Sequence, residues 1–123
     1  MCEMKAAGSG RVVHLELHTG DVSEAGRFYG QLCGWREEQV QTTAGSYLAV
    51  ELGGPIGGGM VACPIKHPLW LPYVEVGDIR EMTNRAQRLG ATVMLGPREG
   101  PGGWRSVVST PAAGEVALWQ PKR

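Results

Sequence analysis

The polar and apolar positions first fall into order at Val12. From there to Thr19 the side chains alternate, with Val13, Leu15 and Leu17 on one face and His14, Glu16 and His18 on the other. Period two predicts a strand over about 11–19 with one apolar and one polar face. The period then lengthens: Val22, Ala25, Tyr29 and Leu32 recur at three- and four-residue steps. This predicts a helix over about 22–33, capped by Asp21 with Glu24 three positions on. Strands are expected at 35–40 and 46–52, joined by TTAG, and a short one at 60–63. GGPIGGG, residues 53–59, reads as a turn able to move, and CPIKHP, residues 63–68, as a stiff extended connector.

The same order then returns. A strand is expected at 70–76 and a helix at 79–89 with Ile79, Met82, Ala86 and Leu89 on one side. Strands at 91–95, 104–109 and 115–120 follow, with REGPGGW, residues 98–104, as a glycine-rich hairpin connection. Asp78 and Glu81 stand 57 positions after Asp21 and Glu24, Leu89 stands 57 after Leu32, and Gly34 and Gly90 close the two helices. Two copies of a strand-helix-three-strand unit, 11–63 and 69–121, are thus expected within one domain, 1–123, after a loose lead-in at 1–10.

Composition changes this picture mainly by exclusion. Twelve basic and twelve acidic residues cancel without blocks of like charge. That balance argues against a nucleic-acid or membrane-surface partner and leaves a neutral or mildly polar small molecule. Cys2, Cys33 and Cys63 are an odd number without metal-type spacing, and no apolar leader precedes them, so a cytoplasmic location is expected. Neither glycine run carries the Gly-Lys-Ser/Thr that cradles nucleotide phosphates.

Several stretches together resemble the vicinal oxygen chelate superfamily, which includes glyoxalase I, bleomycin-resistance proteins, fosfomycin-resistance enzymes and extradiol dioxygenases. They are His14 through Asp21 leading to Phe28-Tyr29-Gly30 and Cys33-Gly34-Trp35, then Trp70 through Asp78, Leu89-Gly90-Ala91, Gly96-Pro97, Thr110-Pro111 and Ala117 through Gln120. The resemblance implies an α+β fold of two βαβββ modules whose sheets curl into a cup, the glyoxalase/bleomycin-resistance fold. Metal-dependent members take ligands from the first and last strands of each module. His14 matches the first ligand, but the corresponding positions are Leu71 and Ala117, and no His, Asp, Glu or Gln occurs from Gly53 to Lys66. A catalytic divalent site needs about three protein donors. The expectation is therefore a metal-independent, cofactor-free member. A His14, Glu16, Glu51 site, as in a metal-dependent glyoxalase- or dioxygenase-like enzyme, is the remaining alternative.

If His14 faces the cup, parity brings Glu16 and His18 with it, and Leu71, Tyr73, Glu75, Ala117 and Trp119 line the other wall. His14 and Glu16 lie roughly 6.6 Å apart along the strand, near enough for the carboxylate to orient an imidazole. The catalytic candidates are His14, Glu16, His18 and Tyr73, with Tyr73 supplying a hydrogen bond. Glu51 and Glu75 are rim carboxylates, Trp104 and Trp119 aromatic contacts for a planar ligand, and Trp35 and Trp70 packing residues. Two functions fit. One is a cyclase, isomerase or lyase acting on a small aromatic or polycyclic molecule in specialised metabolism; the other is a protein that sequesters a drug or metabolite. Single-domain relatives commonly pair, so a homodimer is expected, with the 53–59 stretch permitting strand exchange.

Overall fold

A computed structural model describes residues 10–42 and 45–122. The lead-in before Gly10, and Thr43 and Ala44 of the TTAG connection, lie outside the described residues. The elements run β1 (Val12–Thr19), α1 (Val22–Cys33), β2 (Arg36–Thr42), β3 (Gly45–Glu51), β4 (Gly57–Ala62), β5 (Leu69–Glu75), α2 (Ile79–Arg88), β6 (Thr92–Glu99), β7 (Gly103–Thr110) and β8 (Gly114–Pro121). The chain is α+β, with a strand-helix-three-strand order that occurs twice. Contacts gather it into two compact units: residues 13–71, and residues 72–122 together with 10–12.

In the first unit the strands lie in the order β2-β3-β4-β1. β1 and β4 are parallel, and β3 is antiparallel to both its neighbours. The apolar positions of β1 do what their period predicts: Leu17 is buried with Val50 and Met60 beneath Val22, Ala25 and Tyr29 of α1. The Asp21 carboxylate accepts from the Glu24 amide at 3.0 Å and opens the helix. Gly34, at φ 72°, ends it, its own amide donating to the Gly30 carbonyl.

The glycine-rich stretch departs from expectation. Gly57, Gly58 and Gly59 are not part of a turn; they form the first half of β4, paired on both sides. Glycine has little intrinsic preference for a strand, so no pattern marked them. Their use is steric. A Cβ on Gly58 would stand 2.8 Å from the Val50 carbonyl and 2.7 Å from Leu52 Cγ.

In the second unit the order is β5-β8-β7-β6, with β5 parallel to β8. Val76, Ile79 and Leu118 form its buried cluster, flanked by Val74, Met82 and Trp104. Asp78 caps α2 by accepting from the Glu81 amide at 3.1 Å, and the Gln120 side-chain carbonyl accepts from the Ile79 amide at 2.7 Å. β6 continues to Glu99, past the expected end at 95, through two register irregularities. It is an edge strand, and an edge with bulges can hold Pro97. Among the described residues no helix is long and apolar enough to cross a membrane.

α2 is fastened to its sheet by a polar contact inside the core. Thr83 donates its hydroxyl hydrogen to the Ile79 carbonyl at 2.6 Å and lies 2.8 Å from Ser106 Oγ. Since Thr83 has one hydrogen to give, Ser106 is the donor between them. Both residues are buried. Thr83→Val should therefore leave Ser106 without its partner and lower stability by about 1–3 kcal/mol, whereas Thr83→Val with Ser106→Ala should regain most of the loss. Urea denaturation of the three proteins checks this; a double variant no more stable than the single one would contradict it.

Candidate functional site

The face of the first sheet opposite α1 carries the polar row of β1. The Glu16 carboxylate stands between two imidazoles: one oxygen lies 2.8 Å from His18 Nε2 and the other 4.0 Å from His14 Nε2. All three side chains are largely but not wholly covered. The structure thus brings together three of the four expected catalytic residues. Burial pushes the His14 pKa below its ordinary value, and the neighbouring Glu16 charge partly offsets that shift. Burial thus favours the neutral imidazole at His14, next to a carboxylate that would stabilise its cation.

What lies beside His14 was not legible as a site. In the parallel register Gly57 and Gly59 pair with His14 and Glu16 and share their face. A Cβ on Gly57 would meet His14 Nδ1 at 3.0 Å, and one on Gly59 would meet His14 Nε2 at 3.5 Å. The imidazole rests on bare backbone. The one available signal was the two-residue spacing of these glycines, which is the spacing of one face of a strand.

Glu51 shares this face but is not part of the row. It pairs across β3–β4 with Gly57, two strands from His14, and is exposed with its carboxylate 3.4 Å from Arg36 Nε. Among the described residues no three His, Cys, Asp or Glu side chains are placed to hold a metal ion. The strand next to His14 offers Gly57, Gly59 and Val61 on that face, none with a donor side chain. The residues present do not fit the divalent site of metal-dependent superfamily members.

In the second unit the face away from α2 holds Tyr73 and Glu75 of β5, Ala117 and Trp119 of β8, and Arg105 and Val107 of β7, as the registers require. Tyr73 is buried, its hydroxyl oxygen accepting from Arg105 Nη1 at 2.9 Å. Its ring centre lies 6.2 Å from that of Trp119. Ala117 is fully buried and Leu71 nearly so, while Glu75 lies 3.6 Å from Arg11. Trp104 is not brought to this face: it alternates with Arg105, packs on the α2 side, and lies under the Arg80 guanidinium at 5.9 Å. Arg105 is the member that sequence reading missed. The alternation of Arg105 with Val107 in GWRSVVST carries the signal.

A second feature of the first unit lies on the α1 side, the face of Leu15. Trp35 and Trp70, expected only to pack, border an apolar cleft of about 440 Å³ with Leu15, Leu52 and the 53–56 turn. Tyr29 fixes both: its ring stacks on Trp35 at 5.0 Å, and its hydroxyl oxygen accepts from Trp70 Nε1 at 3.2 Å.

No family model matches the sequence. Two mycobacterial proteins, from Mycobacterium bovis and Mycobacterium tuberculosis, each named "Putative glyoxylase CFP32", are 28% identical over 117 residues, covering 89% of this chain and 45% of theirs. The chain therefore spans about half the length of the curated relatives it matches. Among solved structures, a hypothetical protein from Bacillus halodurans C-125 aligns with a TM-score of 0.69 at 13% identity, covering 94% of this chain and 96% of that one. Methylmalonyl-CoA epimerase from Mycobacterium tuberculosis aligns with a TM-score of 0.63 at 15% identity, covering 99% and 94%. These structures share the α+β fold. The twice-used strand-helix-three-strand order and the glyoxylase-named relatives support the resemblance to the vicinal oxygen chelate superfamily.

Proposed function

We propose that the chain is an acid/base catalyst acting on a small aromatic or polycyclic organic molecule, in a cyclase-, isomerase- or lyase-type reaction, with His14 as the proton-transferring group. The observation that carries this reading is the Glu16 carboxylate set between His18 at 2.8 Å and His14 at 4.0 Å. A general base must be unprotonated at working pH and tolerate the charge it acquires. Burial supplies the first property to His14, and Glu16 supplies the second. His18, bonded to the same carboxylate, is a positioning residue for Glu16. The solved neighbours named as methylmalonyl-CoA epimerases carry a name that denotes inversion at a carbon centre. A proton transfer of that class supports the isomerase form.

A second reading, sequestration of a drug or metabolite, is favoured by the apolar cleft between Trp35 and Trp70, because aromatic walls with few polar groups are what ligand affinity needs. A homodimer accords with the exposure of Phe28 and Leu32, one turn apart on α1. Three residues of the 53–59 stretch are committed to β4, which leaves 53–56 as the linking turn.

Two measurements test the acid/base reading. In NMR titration His14 should have a midpoint below 6.5, and Glu16→Gln should lower it further by removing the charge that opposes the shift. Linkage fixes the matching stability profile. The unfolded chain binds this proton more readily than the fold, so the contribution is complete above 6.5 and declines as pH falls through the lowered value; His14→Gln should flatten that part of the curve. An unchanged or raised midpoint in Glu16→Gln would sink the electrostatic assignment.

Catalysis itself is read by incubating a panel of small aromatic ketones and thioesters in D2O and following deuterium incorporation. His14→Gln should slow exchange by about 100-fold or more, the usual contribution of a positioned base. Exchange at the same rate in His14→Gln, with ligands still bound, would leave the sequestration reading standing in its place.

A further inference from the structure

β4 opens with three consecutive glycines, Gly57, Gly58 and Gly59, and none of them has a left-handed backbone. Glycine within a strand costs stability, because its backbone loses the most freedom and it brings no side chain to pack. The remaining reason for a glycine is space, and the three differ in what surrounds that space. At Gly58 a Cβ would strike fixed backbone, the Val50 carbonyl at 2.8 Å. At Gly59 the nearest atoms would stand at 3.5 Å, an ordinary contact that leaves room for alanine. Gly57 differs from both. It is exposed, and the one atom that a Cβ would crowd is His14 Nδ1 at 3.0 Å; the next, the Val13 carbonyl oxygen, stands at 3.8 Å.

We propose that Gly57 is a positioning residue for His14, its missing side chain seating the Nδ1 end of the imidazole on β4 and so holding the Nε2 end beside Glu16. The ring reaches across both glycines: Nδ1 is the atom nearest to a Cβ at 57, and Nε2 the atom nearest to one at 59. Nε2 is also the nitrogen that lies 4.0 Å from the Glu16 carboxylate. Imidazole is rigid and planar, so displacing one end displaces the other. A methyl group at 57 would stand about half an ångström inside the usual non-bonded separation. Gly57 is paired with His14 on one side and Glu51 on the other, so its backbone is held, whereas the ring turns about two side-chain bonds. The ring therefore gives way, and its Nε2 end leaves its place beside the carboxylate. The effect on turnover rests on His14 being the proton-transferring group; the seating of the ring does not.

The test compares Gly57→Ala with Gly59→Ala, two equal additions to one strand. In two-dimensional NMR of the wild-type protein the His14 ring protons should give cross-peaks to the Hα protons of Gly57 and Gly59. Gly57→Ala should weaken the cross-peak to position 59 and shift the His14 ring signals, and Gly59→Ala should shift them less. A stability cycle reads the same contact independently. In His14→Ala protein, where the ring is gone, Gly57→Ala should raise the urea midpoint, as replacing a strand glycine does. With the ring present the same substitution should raise it less or lower it. In the deuterium-incorporation assay Gly57→Ala should lower kcat about tenfold with KM unchanged, less than the roughly 100-fold loss that about 1 Å of misplacement brings. Ring signals that move no further in Gly57→Ala than in Gly59→Ala, an equal change of urea midpoint with and without the ring, or wild-type kcat in Gly57→Ala alongside a slowed His14→Gln would each overturn the proposal. Wild-type exchange in His14→Gln would instead remove His14 from the chemistry, and the ring signals and the stability cycle would still decide whether Gly57 seats it.

Discussion

The first unit depends on how closely β4 lies against the strands on both sides of it. β4 pairs with β1 along one edge and β3 along the other, so each of its residues faces backbone to left and right and a different environment above and below. On the α1 side Met60 fills the core, and Gly58 has no room for a side chain beneath Val50 and Leu52. On the other side Gly57 and Gly59 leave space that the His14 ring occupies. Burial of that imidazole, and with it the depressed pKa, follows from a strand that presents backbone at that point.

The elements that were legible in the sequence are those where one period dominates. β1 and α1 begin and end where alternation, a capping aspartate and a terminal glycine place them, and α2 opens at its own aspartate. Gly57 to Gly59 were not, because a glycine run reads as a turn from composition and becomes a strand only through its neighbours. β6 was cut short for a related reason: Gly96 and Pro97 look like an ending, yet an edge strand with register shifts carries them. Among site residues, parity found the row of His14, Glu16 and His18 and the pair Tyr73 and Trp119. Trp104, expected as an aromatic contact, packs instead on the α2 side, because it alternates with Arg105 along β7.

Charge was harder to read than shape. Cancellation over the whole chain says little about what any one face presents, because electrostatic interactions act over a few ångströms to about a Debye length. Register sets the local sum. Arg98 and Arg105 stand opposite one another in the β6–β7 register, and one residue of slip would send Arg98 to the side where Trp104 packs without any change in composition. The same logic applies to Glu16, whose influence on both histidines depends on all three belonging to one face of one strand.

The bare backbone beside His14 bears on how this face can be altered by mutation. Amide and carbonyl groups are the same whatever the residue, so a floor made of Gly57 and Gly59 offers only one kind of single-residue variation: adding atoms where the ring now lies. Variation on this face must then proceed through the side chains around it, while the His14 ring stays where the two glycines seat it.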